Sequence, residues 1–200
     1  MPAIQVSIDG EVVAALSTTG RDVVAVDIGG TRIDEYLATL NVAAGTYPEG
    51  GESSYLIWVD QRPLHTGQSV EISLRPNLVD SHPGKSINAL YGENPCEVPA
   101  EAKSVDELIE ELQQHPVLRE GFAFTFASSA GTTYTGETSS TDHGFGCSVL
   151  WNSHNPEHAR VSLRSYTLES LRTRSDGTSH VSERLSEGGS IRLAVAEIGA

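Results

Sequence analysis

Leu64-His-Thr-Gly-Gln-Ser-Val-Glu-Ile-Ser-Leu74 returns 121 residues later as Leu185-Ser-Glu-Gly-Gly-Ser-Ile-Arg-Leu-Ala-Val195. Leu, Gly and Ser recur at matching places, and Val70/Ile191, Ile72/Leu193 and Leu74/Val195 are conservative exchanges. Each copy reads as a turn tightened by glycine, then a strand that buries every second residue. The same offset places Leu40, Val42 and Ala44 over Val161, Leu163 and Ser165. The chain therefore reads as two related β-rich halves in tandem, residues 1–75 and 121–200, around a connector, 76–120.

Alternation carries the strand assignment. Ile4, Val6 and Ile8 alternate with polar residues before Asp9-Gly10, a two-residue hairpin turn, and Val12 to Leu16 returns. Val23–Ile28, Thr39–Ala44 and Tyr55–Val59 follow, then the first repeated segment. In the second half Phe122, Phe124 and Phe126 mark a strand with one buried face. Cys147–Trp151, Ala159–Ser165, Tyr166–Arg174 and Ile191–Ile198 complete that set, with Asp176-Gly177 as a second turn. Short strands at this spacing predict a mainly β fold of two small sandwich- or barrel-like halves joined by one helix.

The connector changes character. Pro76, Pro83, Pro95 and Pro99 leave little room for regular structure up to residue 103. Ser104-Val-Asp-Glu107 is then a capping box, in which the serine accepts a backbone N–H and the glutamate answers. A helix over 105–114 follows, with Leu108, Ile109 and Leu112 as its apolar stripe, and Pro116 closes it. So short a helix is marginal in water by itself, so its stripe must pack on one of the halves or on a partner.

The net charge of −14 argues against nucleic acid, which needs a positive footprint. No stretch has the apolar length of a membrane span, and the first residues show neither a basic start nor an apolar run. A cytoplasmic protein is the expectation, and two Lys against eleven Arg suggests a GC-rich bacterial genome.

Val24-Ala-Val-Asp27-Ile-Gly-Gly-Thr-Arg32 resembles the first phosphate motif of the sugar kinases of the actin-like ATPase superfamily. The resemblance implies that Gly29 and Gly30 admit a phosphate, Thr31 donates to it and Asp27 holds a magnesium-bound water. It covers nine residues; the family's second phosphate motif, adenosine motif and sugar-binding aspartate are absent, and the chain is too short for its two lobes. A buried strand ending in a Gly-Gly turn ranks ahead of it. His154-Asn-Pro-Glu-His158 lacks the helix that would align two zinc ligands, because Pro156 lies between them. Cys147 near His143 suggests a Cys/His hydrolase, yet it begins an apolar run; Cys96 has no basic neighbour. No cofactor or metal is expected, and the balance leans away from an enzyme.

Arginine is uneven: six of eleven lie in the last 41 residues, where five acidic residues make the segment nearly neutral. Arg160 and Arg164 fall on one strand face. Arg160, Arg164, Tyr166, Arg172 and Arg174 are therefore the candidate binding residues, in residue types that anchor interfaces. The function expected is non-catalytic binding of another protein in a bacterial cytoplasm, as an accessory or immunity component. Unprotected strand edges also allow a homodimer.

Overall fold

A computed structural model describes residues 2–92 and 103–199. Cys96, Pro95 and Pro99 lie outside the described residues. The first half forms β1 (Pro2–Ile8), β2 (Glu11–Ser17), β3 (Val23–Thr31), β4 (Ala38–Thr46), β5 (Ser54–Leu64) and β6 (Ser69–Pro76). Two helices follow, α1 (Ile87–Tyr91) and α2 (Val105–Gln114). The second half forms β7 (Gly121–Ser128), β8 (Thr133–Glu137), β9 (Gly144–Asn152), β10 (His158–Tyr166), α3 (Leu168–Arg172), β11 (Thr178–Ser186) and β12 (Ser190–Ile198).

The fold is mainly β, as the alternation predicts. Six strands in the order β2-β1-β6-β12-β7-β8 make one antiparallel sheet, sheet A, and β11-β10-β9-β3-β4-β5 make the other, sheet B. Each sheet takes three strands from each half, and the inner faces share one apolar core. Phe122 and Phe124 of sheet A meet Phe145 of sheet B edge-on at 4.7 and 5.0 Å, an arrangement that aromatic quadrupoles favour. Leu64, Val70 and Ile72 are buried, and so are Leu185, Ile191 and Leu193.

Both sheet orders read the same in either direction once each strand is exchanged for the one six places on. The likeness extends to irregularities. A bulge in β5 opposite Val42/Ala43 turns Trp58 inward, and a bulge in β11 opposite Leu163/Arg164 does the same for His180. Trp58 then donates its indole N–H to the His82 carbonyl at 2.8 Å.

Local chemistry accounts for the differences from expectation. The segment 166–174 is not a strand: β10 stops at Tyr166 and α3 begins. Thr167 accepts from the Ser170 N–H while Ser170 accepts from that of Thr167, a reciprocal cap that opens a single helical turn. The connector holds α1, whose first turn is capped by Ser86. β3 runs through Gly29 and Gly30 to Thr31 rather than turning there. At Gly30 a Cβ would stand 2.4 Å from the Leu37 carbonyl oxygen, so close backbone packing requires that glycine.

α2 spans the residues expected, with both hydrogen bonds of its capping box formed. Only Ile109 of its stripe is buried; Leu112 is half-buried and Leu108 exposed. The helix leans on α3, where Asp106 pairs with Arg172 at 2.8 Å. Among the described residues no helix is long and apolar enough to cross a membrane.

Candidate functional site on the outer face of sheet B

Ala159, Val161 and Leu163 point into the core, so the pleat sends Arg160, Ser162 and Arg164 outward. β11 continues that face. Its register sets Arg184 directly opposite Arg160 and Ser182 opposite Ser162, while Ser148 of β9 flanks Ser162 on the other side. The result is a concavity of 520 Å³ lined by three arginines and three serines among others; Glu183, opposite the inward Val161, turns its carboxylate to accept from Ser128 at 3.3 Å.

The charges in it are unequally satisfied. Arg164 donates to Asp176 at 2.9 Å, but that carboxylate is 90% exposed, and Arg164 Nε is buried with no partner. Arg160 and Arg184 are exposed and make no ion pair among the described residues. Like charges directly opposite on paired strands repel, at a cost of a few tenths to about 1 kcal/mol. Three guanidiniums beside three hydroxyls form a donor-rich surface suited to carboxylates.

A second concavity of 620 Å³ adjoins the first across the middle of the sheet. It brings together residues from two separate sequence readings: Asp27, Gly29, Gly30 and Thr31 with Arg164 and Tyr166. Small side chains at the centre make the hollow. Asp27 is exposed there, opposite Ser148. Gly29 lies within the sheet, paired to Thr39 on one side and Gly146 on the other, so its backbone belongs to the ladder. The Thr31 N–H is taken by Asp34 at 2.8 Å. Arg32 is spent on the carbonyls of Arg119 and Ser140, at 3.0 and 2.9 Å. Tyr166 is half-buried, and burial pushes its phenol above the ordinary value.

Two other candidates stand apart from this face. Arg172, on α3, is paired with Asp106 and Glu169 at 2.8 and 3.0 Å. Arg174 is exposed in the turn after α3, with a positive φ of 53°.

Cys147 is buried in the core, where desolvation, assisted by Asp27, pushes its thiol up to about 12. A thiol held un-ionised is a poor nucleophile. His154 is exposed and His158 half-buried, and no metal-binding cluster occurs among the described residues.

A partly buried hydrogen-bonded chain escaped the sequence reading. Ser165 donates to Asp142 at 2.8 Å, and His180 Nε2 and Nδ1 lie 2.9 Å from Ser165 and Tyr134 respectively. With the Ser165 proton given to Asp142, the network assigns His180 as the Nε2–H tautomer, donating to Ser165 and accepting from Tyr134. The carboxylate touches the serine rather than the histidine, and Ser165 is fully buried. This order ties β8, β10 and β11 together and differs from a nucleophilic triad, where the base is the central member.

Arg184, Ser148 and Ser182 were also missed. Arg184 and Ser182 reach the site through a β10–β11 register that spans α3, and Ser148 through the β9–β10 pairing. No family model matches the chain, and no curated protein or solved structure matches it either.

Proposed function

We propose that this chain is a non-catalytic binding module that recognises an acidic segment of another protein through Arg160, Arg164 and Arg184. The observation that carries the reading is the Arg160–Arg184 opposition. Two like charges face each other across a strand pair, and neither makes an ion pair among the described residues; an incoming carboxylate relieves the repulsion while accepting from both. The net charge of −14 does not forbid it, because charges beyond roughly 8 Å are largely screened at physiological salt. The arginines form a local positive island, too small for a nucleic-acid track.

The palindromic strand orders and the sequence repeat support reading the chain as two fused, related halves. On that view the second half acquired the arginines: Thr39 and Pro63 stand where Arg160 and Arg184 stand. The setting suggested by composition is a bacterial cytoplasm, with an accessory or immunity role.

The test is capture of partners from the native host by the wild type and by Arg160→Glu/Arg184→Glu. The wild type should retain a protein with an acidic exposed segment, and the double variant should lose it with its thermal midpoint kept. Equal capture by both would exclude this face.

A further inference from the structure

The two long sides of the sandwich are finished differently. On one side the sheets end in β2 and β5, and residues 80–85 cover both. Ser81 donates its N–H to the Ala15 carbonyl at 2.9 Å, and its hydroxyl accepts from the Ala15 N–H at 3.1 Å. Asp80 accepts the Ser17 N–H at 2.8 Å and pairs with Arg21 at 2.6 Å. Ile57 and Lys85 exchange both backbone hydrogen bonds at 2.8 Å. A short extended segment of the chain thus adds itself to the β5 edge.

The other side ends in β8 and β11, the counterparts of β2 and β5 in the palindromic order. β8 has five residues; β11 has nine and pairs only with β10 among the described residues. Long open edges template strand addition, and proteins commonly shorten or cover them. The outer face beside this edge carries Arg184, Arg160 and Arg164, whereas the matching positions beside β5 are Pro63, Thr39 and Ala43, none of them charged.

We infer that the β11 edge takes an extended acidic segment of a partner protein as a seventh strand of sheet B. This rests on the binding role proposed for the arginine face and specifies how the partner is held. The pleat sends every second residue of the added strand to the outer face, next to Arg184. Acidic residues at those positions meet the arginines, while the backbone supplies a ladder of hydrogen bonds.

The experiment titrates an alternating Glu/Val peptide of β11's length against the full chain by isothermal calorimetry, with an analogue N-methylated at alternate amides. Two registers of methylation are used, so that one blocks whichever amides face β11. The unmodified peptide should bind, one methylated register should weaken binding by about tenfold or more, and Arg160→Glu/Arg184→Glu should abolish it. If both methylated registers bind as tightly as the parent while the Arg variant does not bind, strand addition is overturned and the arginine face stands. If the wild type binds no peptide, both fail. A concentration-dependent dimer in sedimentation, abolished by Arg184→Glu, would give the edge to a second copy and overturn the inference.

Discussion

Arg192 donates to Glu71 at 2.9 Å, and the two residues, 121 positions apart, face each other across the β6–β12 pair. Asp27 and Ser148, with the same separation, face each other at the centre of the β3–β9 pair. Each sheet is thus centred on two residues 121 positions apart in the chain. Opposite charges facing each other across a strand pair should tolerate exchange. Glu71→Arg alone should lower stability by a few tenths to about 1 kcal/mol, and adding Arg192→Glu should restore most of it. Denaturant midpoints of the single and double variants check this; a double variant no better than the single would show that the pair contributes by its surroundings instead.

α2 is held by one apolar anchor. Ile109→Ala should cost about 2–5 kcal/mol, the range for emptying a buried aliphatic site, because Ile109 is 2% exposed. Leu112→Ala should cost clearly less, since Leu112 is only half-buried. Equal losses in urea titrations would mean that the whole stripe is docked.

Burial holds His180 and His143 below the ordinary histidine value of 6.5. The folded protein therefore binds fewer protons than the unfolded chain just below that value, and stability must fall as pH drops through it. The denaturant midpoint should decline from about pH 7 to about pH 5, beginning near pH 6.5, and His180→Gln should flatten the decline. A midpoint that rises on acidification would contradict the neutral Nε2–H assignment. Asp80 acts at lower pH: burial opposes its ionisation, but hydrogen bonds from Arg21 and Ser17 prevail and hold its carboxyl below the ordinary value. Its contribution is full above the ordinary carboxylate value and is lost as pH falls from there through the depressed one.

In a Cys96→Ser variant, the one remaining thiol is Cys147. Its burial predicts no reaction with a thiol reagent at about pH 8 in the folded protein and full reaction after unfolding. Rapid labelling of the native protein would reopen a nucleophilic role.

What the sequence made legible was whatever local chemistry decides. The Asp9-Gly10 turn, the Ser104/Glu107 box and the outward alternation of Arg160 and Arg164 each depend on neighbours within a few residues. Their structural counterparts are present, including positive φ at Asp9 and Gly10. Which strand lies beside which is a long-range choice, settled by core packing. The opposition of Arg160 and Arg184 depends on a bulge at His180 and on α3 between the strands, so counting arginines located the region without its geometry. The Asp142–Ser165–His180–Tyr134 chain was hidden for the same reason, its four members coming from separate segments.

The central claim is that Arg160 and Arg184 are opposed for recognition and not for folding. Arg184→Glu replaces a like-charge pair by an opposite one, so the isolated protein should become more stable. The most direct measurement is its denaturant midpoint at physiological salt, expected to rise by the equivalent of a few tenths to about 1 kcal/mol at unchanged slope. A fall in the midpoint would show that the two arginines stabilise the fold and would contradict the account.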